Sequence, residues 1–261
     1  MILSIDVGNT NLKFAVFDGE ELKCSWRAAT DLKRTSDEYG AHLIEMLTIN
    51  GVQKEHITGG IFSSVVPSLD YTIERMFSTY LNIVPLQIAP GLKTGLKMRA
   101  DNAKEVGADR IVNNVAAIKA YGTGKPMIIV DFGTATTFNV IDVEGAFIGG
   151  VIAPGIKGSL DSLVSGTAKL PRVEIVAPKS VIATNTVTNM QAGIVFGFAG
   201  LVECIVARIK AELKTRDVLT IATGGFSETI AQETKCIDII DKMLTLNGLQ
   251  YLYQLNATEE K

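Results

Sequence analysis

Histidine and cysteine are scarce in this chain of 261 residues: His42 and His56 are the only histidines, and Cys24, Cys204 and Cys236 the only cysteines. Both histidines sit in polar helical or loop context, so a histidine-centred catalytic site is not expected. The cysteines are odd in number and far apart, which fits neither a disulfide frame nor a zinc site; they read as reduced residues of a cytoplasmic protein. Runs of basic residues are missing too. Lys and Arg number 25 against 28 Asp and Glu, for a net charge of −3 and a pI near 5.5, so nothing argues for a nucleic-acid or membrane-surface partner. No uninterrupted apolar run approaches the roughly 20 residues that span a bilayer. The apolar start is broken by Asp6 and by polar Asn9 to Asn11, so it is not expected to be a secretory signal. Low-complexity stretches are absent. The triplet Asn256-Ala-Thr258 matches a glycosylation pattern that a cytoplasmic chain would not use.

What is present is a packed globular composition, 47% apolar and 20% charged. The informative stretch is Met127-Ile-Ile-Val-Asp-Phe-Gly-Thr-Ala-Thr-Thr-Phe138. A short apolar run ends on Asp131, and Gly133 and several hydroxyls follow. Such a run, bounded by turn residues, reads as a buried strand. Gly133 can take positive φ and admits close approach to the backbone. Residues 1–10 repeat the grammar: an apolar strand, Asp6, one apolar residue, Gly8, then Asn9 and Thr10. Both copies continue into alternating apolar positions and reach an Asp-containing glycine turn, Asp18-Gly19 and Asp142-Val-Glu-Gly145. Self-similarity at half the chain length points to an internal duplication.

Between these units strands and helices alternate, the pattern of an α/β protein. Strands are expected over 1–18, 60–65, 84–88, 127–141 and 218–222. Helices are expected over 37–50, 70–81, 111–121 and from the Gly/Pro-rich crossing at 149–155 to about 164. A long apolar segment over 189–213 carries Gly193, Gly197 and Gly200. Gly122-Thr-Gly-Lys-Pro126 reads as a linker, giving domains 1–121 and 122–261, with the last helix packing back on the first domain. The tail after about 254 is expected to fray.

A lone Asp-x-Gly turn is commonplace. Two of them, each followed by small polar residues, suit a phosphate tail and its cation, since Mg²⁺ takes one or two carboxylates plus phosphate and water oxygens. Lys13 reads equally as a phosphate neutraliser or an ordinary strand lysine. Gly224-Gly225 ends a strand and could leave room for a flat base, or be a simple turn. Gly107-Ala-Asp-Arg110 opens a helix, where Asp109 is either an N-cap or a base beside a cation able to hold an anionic substrate. A carboxylate at a helix start is kept ionised.

The set Asp6-Val-Gly-Asn-Thr10, Glu105-Val-Gly-Ala-Asp-Arg110, Asp131-Phe-Gly-Thr-Ala-Thr-Thr137, Gly149-Gly-Val-Ile-Ala-Pro-Gly155, Thr167-Ala-Lys-Leu-Pro171 and Asn185-Thr186 resembles type III pantothenate kinase, of the acetate-and-sugar-kinase/Hsp70/actin superfamily. The resemblance implies duplicated actin-like (ribonuclease H-like) ATPase domains with a central nucleotide cleft. It implies phosphorylation of pantothenate by ATP, the first step of coenzyme A synthesis. Asp109 would be the proton acceptor, and Gly107, Ala108, Asp109, Arg110 and Thr186 would hold pantothenate. Asp6, Val7, Gly8, Asn9, Thr10, Asn11, Leu12, Lys13 and Thr134 would contact ATP. Asp131 would bind a monovalent cation, K⁺ or NH₄⁺, Mg²⁺ would lie near Asp6 through phosphate or water, and the enzyme would be a homodimer. Three places depart from the family pattern: Ala100 replaces the usual pocket tyrosine, Ala103 the usual proline, and Ala183-Thr184 the usual Gly-Lys. A different small-molecule kinase of the superfamily, or a non-catalytic nucleotide-binding regulator, remains the alternative.

Overall fold

The computed structural model describes residues 1–102 and 105–257. Ala103 and Thr258, two of the positions singled out above, lie outside the described residues. The chain forms two compact units. The first comprises residues 1–96, 102–119 and 244–261, the second 97–101 and 120–243. Against the expected cut at 121/122, the short segment 97–101 belongs to the second unit, while the last helix belongs to the first, where it was expected to pack.

Unit 1 begins with β1 (Ile2–Val7), β2 (Asn11–Asp18) and β3 (Glu21–Ala29), followed by α1 (Ser36–Ile49), β4 (Gly59–Ser64), α2 (Pro67–Leu81) and β5 (Leu86–Gln87). Among the described residues its sheet has five strands in the order β3-β2-β1-β4-β5. The first three strands are antiparallel neighbours, while β4 runs parallel to β1 and to β5. Leu3, Ile5, Val7, Leu12, Phe14, Val16 and Phe62 point into one core with Tyr39 and Leu43 of α1 and Leu69, Ile73 and Phe77 of α2. The strand period of two then sends Ser4, Asp6, Lys13 and Ser63 to the opposite face.

The chain next adds β6 (Lys97–Met98) to the second sheet, then forms α3 (Ala108–Tyr121). Unit 2 continues with β7 (Met127–Phe132), β8 (Ala135–Ile141), β9 (Ala146–Pro154), α4 (Ile156–Ser165), α5 (Thr186–Glu212), β10 (Leu219–Gly224), α6 (Ser227–Ala231) and β11 (Ile239–Ile240). Its strand order is β11-β10-β7-β8-β9-β6. Without β6 this repeats the order and directions of the first sheet strand for strand. The internal duplication read from the two acidic turns is thus a duplicated topology. Ile128, Val130, Phe132, Phe138 and Ala222 pack under α4 and α5, which leaves Asp131, Thr137 and Thr223 on the other face.

The expected elements are present with shifted ends. The strand expected at 84–88 shrinks to Leu86–Gln87, and α3 starts three residues before Ile111. The crossing at 149–155 is mostly the nine-residue strand β9. No uninterrupted apolar run approaches the roughly 20 residues that span a bilayer, but by overall length and composition α5 is apolar enough to do so. This helix has 27 residues and a mean hydropathy of 1.9 over an 18-residue window. Its apolar stretch Met190–Val206 is interrupted by Gln191 and Glu203 alone as strongly polar residues. Met190, Ile194, Val195, Phe198, Val202, Val206 and Ile209 form one stripe inside the unit 2 core, so by packing it is a core helix.

The last helix, α7 (Leu244–Ala257), runs to Ala257 instead of fraying after 254, and it belongs to unit 1. It lies against α3. Thr245 Oγ1 donates to Asn113 Oδ1 at 2.7 Å in a buried bond, and Lys119 lies over the Tyr251 ring. Gly248 has no room for a side chain: an added Cβ would stand 2.7 Å from the Val112 carbonyl oxygen and 2.9 Å from Ala116 Cβ. By contrast, a Cβ at Gly158 of α4 would meet nothing within 4 Å. A glycine-to-alanine change in a helix gains up to about 1 kcal/mol, whereas overpacking costs about 1–3 kcal/mol. Gly248→Ala is therefore expected to lower the denaturant midpoint and Gly158→Ala to leave it equal or higher. Equal effects of the two changes would refute the tight α3–α7 contact.

Candidate active site

The Asp6 turn is built from three strands. Antiparallel register sets Lys13 opposite Asp6, and parallel register sets Ser63 beside it. Lys13 Nζ donates to Asp6 Oδ2 at 3.1 Å, and Ser63 Oγ donates to Asp6 Oδ1 at 2.9 Å. Asp6 is only 6% exposed, and hydrogen bonds to a charged group are worth about 1.5–3 kcal/mol, so these partners are what let a carboxylate sit there. Lys13 is thus neither a free strand lysine nor committed to phosphate alone; it balances Asp6.

Beyond Val7, the Gly8 N–H donates to the Asn11 carbonyl at 3.1 Å, closing a tight loop. Thr30 pins that loop from outside: its hydroxyl donates to the Gly8 carbonyl at 2.6 Å and its N–H to the Thr10 carbonyl at 3.0 Å. Asn9, Thr10 and Asn11 are exposed. Val7 and Leu12 are fully buried in the unit 1 core, so of these two only the backbone can face a nucleotide.

Asp109 and Arg110 sit in the same unit. The Gly107 carbonyl accepts from the Ile111 N–H at 3.2 Å, so the helix begins at Ala108 and Asp109 lies in its first turn. That corrects the N-cap reading. Asp109 Oδ1 accepts from the Arg110 N–H at 2.8 Å, and a Cβ on Gly107 would crowd it at 2.7 Å. Glycine at 107 keeps this carboxylate accessible. Val65 Cγ1 is the other neighbour of that position, at 3.8 Å, and the Val65 N–H donates to the Val7 carbonyl at 3.0 Å. The opening of α3 thus lies by the ends of β4 and β1, at the same edge of the sheet as the Asp6 turn. Burial lowers the Arg110 pKa, and the Asp109 charge opposes that shift; an arginine stays protonated regardless.

In unit 2, Asp131 occupies the place of Asp6, one residue before the end of its strand. Thr137 stands opposite it and Thr223 beside it. The Gly133 N–H donates to the Ala135 carbonyl at 3.0 Å, leaving Thr134 exposed at the tip. Two glycines let other segments close on this turn. A Cβ on Gly155, the residue before α4, would fall 2.0 Å from the Thr134 carbonyl oxygen. Gly224, at φ +90°, would place one 2.6 Å from both Asp131 Oδ1 and the Phe132 carbonyl oxygen. Gly225 has open space around it, which leaves the flat-base reading available there. Thr186 is the exposed first residue of α5, whose N-cap Asn185 accepts from the Thr188 N–H at 3.0 Å.

The donor sets bear on which ions each turn could hold. Among the described residues, no three His, Cys, Asp or Glu cluster as a metal site. Asp6, already bonded to Lys13 and Ser63, suits a cation reached through phosphate or water. Asp131 with two threonines at its register offers hard oxygen donors and one negative charge, the chemistry of a weakly held cation. Sequence reasoning missed Ser63, Thr223 and Gly155. The first two had a signal: a hydroxyl stands next to last on β4 and on β10, at Ser63 and Thr223. Gly155 was visible only as part of a motif.

The chain matches the family model described as type III pantothenate kinase over residues 2–208. It is 49% identical over 257 residues to a type III pantothenate kinase of Moorella thermoacetica, a match covering 98% of this chain and all of that one. Among solved structures, a Campylobacter jejuni protein assigned to the Baf family of transcriptional activators has a TM-score of 0.60 at 17% identity, covering 98% of this chain and 99% of that one. An inorganic polyphosphate/ATP-glucomannokinase from Arthrobacter sp. strain KM has a TM-score of 0.50 at 14% identity, covering 99% and 98%. These structural likenesses concern the fold, which is that of duplicated actin-like ATPase domains. The length of the family match and the identity to the Moorella protein carry more, and by them the chain belongs to the type III pantothenate kinase family.

Proposed function

We propose that this protein transfers the γ-phosphoryl group of ATP to the primary hydroxyl of pantothenate, yielding 4'-phosphopantothenate and ADP, the first step of coenzyme A biosynthesis. The observation that carries this reading is a family match that runs unbroken across both acidic turns and the Gly107–Arg110 segment. Unit 1 supplies the pantothenate and phosphate side. Unit 2 supplies the nucleotide side and the dimer contact. The reaction belongs in the cytoplasm, where three free cysteines are compatible with a reducing environment.

Asp109 is the general base. It takes the hydroxyl proton while the hydroxyl oxygen bonds to the γ-phosphorus and the bond to the ADP oxygen breaks. Its place in the first turn of α3 favours the ionised form a base needs. Arg110, Gly107, Ala108 and Thr186 hold pantothenate, with the guanidinium of Arg110 on the substrate carboxylate. The exposed Asn9–Asn11 tip, Lys13 and Thr134 hold the phosphates; Val7, Gly8 and Leu12 contribute backbone. Positioning and charge neutralisation carry most of the rate in such transfers. Mg²⁺ on the phosphate oxygens, reached from Asp6 through water or phosphate, and K⁺ or NH₄⁺ at Asp131 would supply that neutralising charge.

The homodimer is supported by the outer face of α5. Gly193, Gly197, Gly200, Cys204 and Ala207 are exposed there, with Glu203 and Arg208 beside the C-terminal part of the stripe. Small residues let two such helices approach closely.

Three experiments test these assignments. Asp109→Asn is expected to fold and bind ATP like the parent while pantothenate-dependent ADP release drops roughly 10²–10⁴-fold; near-full activity would remove Asp109 from the mechanism. Exchanging K⁺ for Na⁺ is expected to slow turnover on the order of tenfold or more, and an unchanged rate would strike out the role of Asp131. A Cβ at Gly197 meets nothing within 4 Å in the protomer. Gly197→Glu should therefore keep the circular dichroism of the parent and halve the mass in light scattering. A parent that is already monomeric would refute the dimer.

A further inference from the structure

The tip assigned above to the phosphates, Gly8 to Asn11, is held from outside by a residue with no place in that mechanism. Thr30 directly follows β3, whose last residue, Ala29, pairs with Asn11. It reaches the tip twice: its hydroxyl donates to the Gly8 carbonyl at 2.6 Å, and its N–H donates to the Thr10 carbonyl at 3.0 Å. The matching place in unit 2 is Gly155, which directly follows β9, whose last residue, Pro154, pairs with Ala135. There the support is backbone alone, so close that a Cβ would fall 2.0 Å from the Thr134 carbonyl oxygen. In both halves the residue after the third strand backs the carbonyl side of the tip.

What the threonine does follows from the peptide unit. A trans peptide is planar, so its carbonyl and the N–H of the next residue point in opposite directions. Drawing the Gly8 carbonyl toward Thr30 therefore turns the Asn9 N–H the other way. Asn9 is exposed, and among the described residues no acceptor meets that N–H. An outward N–H of fixed direction is what a phosphate oxygen is bound by. The Gly8 N–H is committed elsewhere, to the Asn11 carbonyl at 3.1 Å. Without the Thr30 hydroxyl this peptide could swing, the more so because Gly8 has no Cβ to restrain it.

The hold is itself anchored in the core. Tyr39 of α1 is fully buried. Its hydroxyl accepts from the Asp31 N–H at 3.0 Å and donates to the Asp31 carbonyl at 3.1 Å. That carbonyl also accepts from the Arg34 N–H at 3.2 Å, and a capping box of Thr35 and Glu38 closes the entry to α1. A continuous series of contacts inside unit 1 thus runs from the core through Tyr39 and Asp31 to Thr30 and the tip. We propose that Thr30, braced by Tyr39, is a positioning residue for the nucleotide: its hydroxyl aims the Asn9 N–H at the phosphate tail. The inference rests on the reading of residues 6–13 as the ATP loop.

The test is steady-state kinetics on Thr30→Val, Thr30→Ser and Tyr39→Phe, with calorimetric titration of ATP and of adenosine. Thr30→Val keeps the shape and the backbone bond to Thr10 but removes the hydroxyl. It is expected to raise KM and Kd for ATP about five- to tenfold, the weight of one hydrogen bond. The values of kcat and of KM for pantothenate should stay close to the parent's, since phosphate binding is lost alike before and during transfer. Adenosine, which has no phosphate, should bind as it does to the parent. Thr30→Ser keeps the hydroxyl and should restore most of the affinity. Tyr39→Phe loosens the brace one step away, so its effect should run in the same direction and be smaller. An unchanged ATP Kd in Thr30→Val, an equal loss for adenosine, or parallel rises in both KM values would overturn the proposal. So would a Thr30→Ser variant no better than Thr30→Val. A parent that binds ATP without pantothenate-dependent turnover would overturn the acceptor reading instead, and the ATP Kd would still decide the role of Thr30.

Discussion

In each half of this protein a carboxylate stands next to last on the first strand, on the sheet face opposite the core formed with α1 and α2 or with α4 and α5, and strand register puts it there. Asp6 follows Ile5 and precedes Val7, both of which are fully buried in the helix-covered core. A slip of one residue in β1 would exchange the two faces. Val7 would lose its core and Asp6 would enter one, where an uncompensated charge costs several kcal/mol. The same register that keeps Asp6 out of the core brings Lys13 and Ser63 to its two oxygens. Fold and site therefore depend on one alignment.

From that shared plan the halves have diverged in ways that charge explains. The residue across from Asp6 is a lysine and the one across from Asp131 is a threonine. A carboxylate paired with an ammonium is neutral as a unit. At Asp131 a hydroxyl stands in the place of that ammonium, so the cross-strand position carries one positive charge fewer. The outer turns have diverged as well: Asp18-Gly19 receives α7, whereas Asp142–Gly145 grips Arg99. Duplication provided two equal frameworks, and side-chain substitution at matching positions gave them different work.

How much of this was legible follows from the range over which each signal acts. Helices α1 and α2 show in the spacing of Leu43 and Leu47 and of Ile73, Met76 and Phe77, because a buried stripe repeats locally. Strand β3 went unread: Glu21, Lys23, Ser25 and Arg27 point outward around Cys24, Trp26 and Ala28, and an edge strand with so many polar residues resembles a loop. Gly149, Gly150 and Pro154 are turn residues by propensity and point to a crossing; antiparallel pairing with β8 overrides that and makes the segment strand β9. The two-residue strands β5, β6 and β11 owe their existence to neighbours, and α7 joins unit 1 across more than a hundred residues. The carboxylates of the site were visible because Asp before glycine is unusual at a strand end. The hydroxyls that flank them were not, since serine and threonine are at home anywhere.

The candidate base, Asp109, does not sit on a strand turn like the other two carboxylates, and the reason is mechanical. A base must keep its place to within a fraction of an ångström while substrates come and go, because small misplacements cost orders of magnitude in rate. Loops gain precision only through their contacts, whereas a helix carries its own hydrogen-bond frame. Helix α3 has that frame and is further locked by α7, where the absence of a side chain at Gly248 lets the two backbones meet and a buried Thr245–Asn113 bond sets their rotation. The glycine at 107 then removes the one side chain that would crowd the carboxylate. Helix α7 comes from the far end of the chain. The position of the base therefore depends on the last described element to be made, and a chain ending before Leu244 would retain Asp109 in sequence without the packing that holds it.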